Sequence, residues 1–232
     1  MPHLTQSPNV RGNFRQPFMQ EQKKIIDCYD KTAKNYAEKF TNELDNKHFD
    51  KILLKAFIIE NIDRGQLIDL GCGPGQTTKF LFDNGFTDTV GVDISTEMVK
   101  IARQINPILK FQQADILNLQ FQDNSFGSAI AFYSIVHFDY DLVRTALKEI
   151  KRVLVDNGDL LFAFHIGDTI IHLDNFLDHE VEIDFYFFEV ATIKNILVET
   201  GFKIVDIISR QPYKDVEHQS ERAYIWTKKN YR

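Results

Sequence analysis

At 232 residues, with 44% apolar and 26% charged side chains, the chain suits one α/β domain with a sizeable core and is short for two. A formal charge of -6 lacks the basic excess that a nucleic-acid partner usually needs. Cys28 and Cys72 sit in unrelated contexts, no apolar run reaches membrane-spanning length, and no signal-peptide core precedes a cleavage site, so a cytoplasmic location with no membrane partner is expected.

Residues 1–20 hold three of the six prolines (Pro2, Pro8, Pro17) and no acidic residue, which predicts a flexible tail before a single domain over 21–232. Arg11 and Arg15 are too few, and serine too scarce, for an organelle transit peptide. From Glu21 to Phe40 the period turns helical, with Ile25, Ile26, Tyr29, Ala33, Tyr36, Ala37 and Phe40 at three- and four-residue steps. A second helix is expected over about His48 to Asn61, leading to Gly65 and a first strand.

The run Leu67 to Leu81, LIDLGCGPGQTTKFL, reads as strand, tight turn and helix. Leu67, Ile68 and Leu70 enter a turn with Gly71, Gly73 and Gly75 at alternate positions, after which Thr77 and Thr78 offer N-cap hydroxyls to a helix. Glycine tolerates positive φ and lets another molecule approach bare backbone, while a helix N-terminus favours an anionic group. The dinucleotide fingerprint G-x-G-x-x-G does not fit, because Gln76 and Thr78 fall where its last glycine should be. The pattern D-x-G-x-G-x-G, led by Asp69, resembles motif I of the class I S-adenosylmethionine-dependent methyltransferases. The resemblance implies cofactor contacts from Asp69, Gly71, Cys72, Gly73 and Gly75. It also covers YDKTAKNYAEKF, similar to the D-x-x-A-x-x-Y lid of small-molecule methyltransferases, so that Tyr36 and Tyr29 would close over the cofactor within a helical lid of about 21–62.

Asp88 to Asp93 reads as the second strand, followed by Ser95 at a helix N-cap and Met98 one turn in. Asp93 lies 24 residues after Asp69, where a carboxylate can accept from both ribose hydroxyls or cap the next helix. Lys110 to Gln113 is a short third strand, and by the resemblance Asp115 meets the adenine amino group, with Ile94 and Ile116 against the ring. Phe126 to Phe132 is the fourth strand, so Phe132 to His137 should lie beyond its carboxyl end, at the site. Tyr133 there offers a ring face to a cation. The sequence AFYS replaces the [DN]-P-P-[YFW] turn of enzymes that methylate base amines. His137 suits a general base near neutral pH or a structural ring bonded to a carbonyl.

Asp139 to Val153 predicts a long amphipathic helix stopped by Asn157-Gly158, and Asp159 to Phe164 the fifth strand. His165 to Phe188 departs from a minimal sheet and is expected to be a substrate-side insertion (165–188), with His165 and Tyr186 lining the acceptor pocket and no metal site. A helix over Glu189 to Thr200 and two strands, Lys203 to Ser209 and Arg222 to Thr227, complete the chain. Arg210, Tyr213 and Glu217 resemble a segment of bacterial methyltransferases and read as structural. The expected fold is doubly wound α/β, a mostly parallel seven-stranded sheet with a C-terminal antiparallel hairpin. The implied function is methyl transfer from S-adenosylmethionine to a small molecule, with S-adenosylhomocysteine as product. An NAD-dependent oxidoreductase and a non-catalytic S-adenosylmethionine-binding module are the alternatives, the first opposed by the glycine spacing and the terminal hairpin. Oxygen, nitrogen, sulfur and carbon acceptors all fit an apolar pocket.

Overall fold

Leu67, Ile68 and Leu70 are fully buried, and the strand they form, β1 (Leu67–Leu70), runs through the middle of a seven-stranded sheet. The computed structural model describes residues 15–230. Of the tail expected over 1–20, residues 1–14 lie outside the described residues, and Arg15 already belongs to α1 (Arg15–Phe40). A 3-10 turn (Glu43–Asn46) then leads into α2 (His48–Asn61).

After β1 come α3 (Gln76–Asp83), β2 (Thr89–Asp93), α4 (Thr96–Ile105), β3 (Lys110–Gln113), β4 (Phe126–Phe132), α5 (Tyr140–Val153) and β5 (Leu154–His165). A separate hairpin of β6 (Ile170–Phe176) and β7 (His179–Tyr186) precedes α6 (Val190–Glu199), β8 (Phe202–Arg210) and β9 (Arg222–Lys229). The sheet order is β3-β2-β1-β4-β5-β9-β8, with β9 antiparallel to both neighbours and the first five strands parallel. This is the doubly wound α/β sheet with a terminal antiparallel hairpin.

Alternation decides which face each residue covers. Ile68, Leu70, Val92, Leu160 and Phe162 pack with α5 (Val143, Leu147, Ile150) and α6 (Ile193, Ile196, Leu197). Leu67, Ile130 and Leu161 pack with α2 (Leu54, Phe57, Ile58) and α3 (Leu81). Helix α5 starts where Asp139 Oδ1 accepts from the N–H groups of Asp141 and Leu142, at 3.0 and 2.8 Å, and it ends with Lys151 and Arg152 against the negative end of its dipole. It is not stopped by Asn157-Gly158. The chain enters β5 at Leu154, and Asn157 (φ 60°) and Gly158 form a bulge between the pairs Phe126–Leu154 and Ser128–Asp159.

At β1 the order of strands reverses, with β2 on one side and β4 on the other. Parallel sheets bind ligands beyond the carboxyl ends of such a pair.

Candidate functional site

The turn leaving β1 bends through Gly71, Gly73 and Gly75, all at positive φ (69°, 51° and 88°). They do different things. A Cβ on Gly71 would stand 2.4 Å from Cβ of Ser134, so this glycine lets the turn after β4 press against it. A Cβ on Gly73 would meet only Tyr36, at 3.7 Å, so this backbone faces open space. A Cβ on Gly75 would meet Phe111 at 2.6 Å, and Gly75 itself is the N-cap of α3. Thr77 and Thr78 therefore do not cap the helix, contrary to the sequence expectation. The Thr78 hydroxyl donates to Asp69 Oδ2 at 2.6 Å instead. Burial, reinforced by the charge of Asp93, pushes Asp69 up to about 7 despite that bond.

Asp93 is engaged by backbone on both oxygens, and the helix cap weighed for it falls to Ser95. Its Oδ2 accepts from the N–H of Gly73 and its Oδ1 from the N–H of Ser95, both at 2.9 Å, so one carboxylate ties the glycine turn to the start of α4. Ser95 caps α4 by accepting from the N–H of Met98 at 3.1 Å. Burial raises the pKa of Asp93 as well. Asp115 follows β3, accepting from the N–H of Leu117 at 2.9 Å and from the Gln22 amide at 2.6 Å. Asp69, Asp93 and Asp115 thus edge one side of a cavity of about 370 Å³.

Helix α1 and the β6–β7 hairpin cover that cavity. Nδ1–H of His137 donates to the carbonyl of Asp184 on β7 at 2.7 Å, which leaves Nε2 to accept from the Tyr29 hydroxyl at 2.8 Å. Burial holds His137 down to about 4, so the ring is neutral. Tyr29 also packs edge-on to Tyr36 and Phe176. Outside the cavity, Lys24 pairs with Glu182 at 2.6 Å and the Asn35 amide donates to the Leu177 carbonyl at 2.9 Å.

The far end is built on Tyr133, held at a left-handed φ of 56°. Its hydroxyl lies 3.2 Å from that of Tyr224, which donates to Asp50 at 2.8 Å. Asp50 also pairs with Arg210 at 2.8 Å, and Arg210 in turn holds Glu217. Glu217 lies 3.1 Å from Arg222 and 3.7 Å from Lys47. His165 lies between the rings of Tyr133 and Phe187, at 5.1 and 5.2 Å, with Nδ1 on the Ser220 hydroxyl at 2.7 Å. Burial first, then the charges of Arg222, His218 and Lys47, hold it down to about 3.

A family model described as a methyltransferase domain matches residues 68–162, from β1 into β5. The O-methyltransferase rstn1 of Aspergillus nomiae is 31% identical over 166 residues, 62% of this chain and 67% of that protein. The chain belongs to the class I S-adenosylmethionine-dependent methyltransferases. The uncharacterized protein MJ0638 of Methanocaldococcus jannaschii is 30% identical over 190 residues, covering 79% of this chain and 76% of that one. The chain spans about half the length of several other curated relatives that it matches. In fold, this methyltransferase is similar to the magnesium protoporphyrin IX methyltransferase of Synechocystis PCC 6803, solved with bound S-adenosylhomocysteine (TM-score 0.69, 14% identity, 90% of this chain and 100% of that one).

In this methyltransferase every residue assigned to the cofactor from sequence borders the cavity except Gly75, which is turned into packing against Phe111. Cys72, Ile94, Met98 and Ile116 contribute apolar wall, and Phe132 lies beside Tyr133. His137 and His165 border it as well. Tyr186 does not, because its N–H donates to the Val136 carbonyl at 2.7 Å and its ring packs on the core below. Gln22, Lys47, Phe187 and Arg222 border the cavity without having been singled out for it. Arg210 and Glu217 do hold structure, and Arg210 lies over the Tyr213 ring at 4.4 Å.

Proposed function

We propose that this protein transfers a methyl group from S-adenosylmethionine to a small molecule in the cytoplasm. The observation that carries it is one cavity with three carboxylates and bare glycine backbone on one side and aromatic side chains on the other. A cationic ligand with ribose hydroxyls fits the first side. Ser134 Oγ and Gln76 Oε1, both at the cavity, are buried without a partner and so leave polar valence for a ligand. When bound, S-adenosylmethionine supplies a methyl group on a sulfonium whose leaving group is a neutral thioether.

The chain's own residues then bind and orient. Asp93 would accept from the ribose and Asp115 from the adenine amino group, once Gln22 gives way. Tyr29, Tyr36 and Phe176 exclude water above the reacting centre, and alignment in such an enclosed site contributes several kcal/mol to rate. We assign His137 to positioning. Both of its nitrogens are engaged and its basicity is low, so it holds Tyr29 rather than removing a proton. We read α1 and α2 as a lid on one domain and the β6–β7 hairpin as its acceptor-side insertion. The acidic net charge favours a small acceptor over nucleic acid. The unpaired, buried Cys28 and Cys72 suit a reducing compartment.

Calorimetric titration with S-adenosylhomocysteine tests this assignment. Binding is expected, weakened by about 1–3 kcal/mol in Asp93→Ala. No binding, or unchanged affinity in that variant, refutes it.

A further inference from the structure

His165 ends β5 with its ring pinned between two others. Phe187 stacks on it at 5.2 Å and 21°, and Tyr133 lies against it at 5.1 Å and 35°. The ring edges are left to make polar contacts. On one edge Nδ1 lies 2.7 Å from the Ser220 hydroxyl, and that hydroxyl lies 3.3 Å from Nδ1 of His218, an exposed ring. On the other edge Nε2 has no hydrogen-bond partner among the described residues, and His165 borders the cavity. The turn carrying Ser220 and His218 is fixed by Arg222, whose two terminal nitrogens donate to the carbonyls of these two residues. A path of two steps thus runs from the cavity to water.

His165 is unsuited to act as an ordinary base. It is faced by Arg222 of β9, by Lys47 ahead of α2, and by His218 and Glu217 of the β8–β9 connection. Burial and the three basic neighbours outweigh Glu217 and oppose a positive charge on the ring. A proton that enters at Nε2 while another leaves at Nδ1 puts no charge there. The ring only changes tautomer, and the charge comes to rest on His218, where water solvates it.

We infer that the acceptor is a hydroxyl on an apolar body, and that its proton leaves through His165, Ser220 and His218. This rests on the methyl-transfer reading. As the hydroxyl oxygen forms the O–CH3 bond, the C–S bond breaks with its electron pair going to sulfur, and the O–H bond gives its proton to His165 Nε2. The proton on Nδ1 passes to Ser220 Oγ, whose own proton passes to Nδ1 of His218. The imidazolium formed there releases a proton to water. One positive charge enters as the sulfonium and leaves as that proton. A carboxylate or thiolate acceptor arrives already ionised and needs no such exit. The apolar body lies against Leu173, Phe176 and Phe185, which border the cavity from the β6–β7 hairpin.

In the full chain bound to S-adenosylhomocysteine, nitrogen-15 spectra of ring-labelled histidine should show His165 protonated on Nδ1 and bare on Nε2. Ser220→Ala removes the acceptor of that proton and should switch the ring to its Nε2–H form, whereas Ser220→Thr keeps the parent form. Unchanged S-adenosylhomocysteine affinity in both variants is the check on folding. A parent ring already protonated on Nε2, or a tautomer that ignores Ser220→Ala, overturns the inference. The probe 2-naphthol should bind this complex about fivefold or more tighter than 2-methoxynaphthalene, which has no proton to donate, and Ser220→Ala should remove that preference. With methyl-labelled S-adenosylmethionine, His218→Gln should lower kcat for 2-naphthol about tenfold or more with KM unchanged. Equal binding of the two probes, no transfer to 2-naphthol, or a kcat that His218→Gln leaves alone also overturns the inference while cofactor binding still stands. Failure to bind S-adenosylhomocysteine at all refutes the methyl-transfer reading instead.

Discussion

The Tyr29 hydroxyl donates to Nε2 of His137 across 2.8 Å, and the other nitrogen of that ring is fixed by the Asp184 carbonyl. One imidazole thereby joins helix α1, the turn after β4 and strand β7. Tyr29→Phe and His137→Gln each break the same contact, so each should raise the dissociation constant of S-adenosylhomocysteine about fivefold, for a hydrogen bond contributing about 1 kcal/mol. The double variant should be little worse than either single one. Calorimetry on the four proteins checks this. A strictly multiplicative loss would mean that the two side chains act independently.

The buried charges give stability a pH dependence of definite sign. His137 is held down to about 4 in the folded protein, against about 6.5 when unfolded. Its contribution is fully present above about pH 6.5 and is lost as pH falls through 4, at most about 3 kcal/mol and less where cavity water reaches the ring. Asp69, raised to about 7, acts the other way, because its contribution is present below about pH 4 and is lost as pH rises through 7. Urea unfolding at pH 4.5, 6 and 7.5 should therefore show His137→Gln losing less than the parent on acidification. Asp69→Asn should lose less on going toward pH 7.5. Parallel pH curves for parent and variants would contradict both assignments.

Gly71 and Gly73, two residues apart, should fail differently. Gly71→Ala drives a methyl group to within 2.4 Å of Ser134 at φ 69°, so it should lower the melting temperature, at a cost of about 2 kcal/mol or more. Gly73→Val points into open space beside Tyr36, so it should cost about 1 kcal/mol of stability and abolish ligand binding. Thermal melts paired with S-adenosylhomocysteine titration separate the two effects. Equal melting temperatures would refute the contrast.

Where one local rule governed an element, the sequence was a good guide. The periodicity of α5 and the apolar run of β4 lie where pattern put them. The β6–β7 hairpin escaped notice although Val181, Ile183 and Phe185 alternate in β7, because its turn places Leu177 and Asp178 at positive φ (50° and 65°). Leucine is not a residue that signals such a turn. Thr78 misled for a related reason. A hydroxyl at a helix start normally caps, but a buried carboxylate nearby is the stronger acceptor, and Asp69 is near only once the turn has folded. Lys47 and Arg222 could not be placed at the cavity in advance. They are distant in sequence and meet through Glu217, a contact that no local pattern encodes.

The seam between α1 and the hairpin is fastened on its outer side by Lys24–Glu182, by the Asn35 amide on Leu177 and by Lys31 reaching the Glu180 carbonyl, all within reach of water. Solvated clasps of this kind contribute no more than about 1 kcal/mol each, and salt loosens the ionic one. The sheet beneath is held by buried hydrocarbon, to which salt is nearly indifferent. Raising ionic strength should thus quicken the traffic of molecules across the seam while leaving the barrier to global unfolding almost untouched.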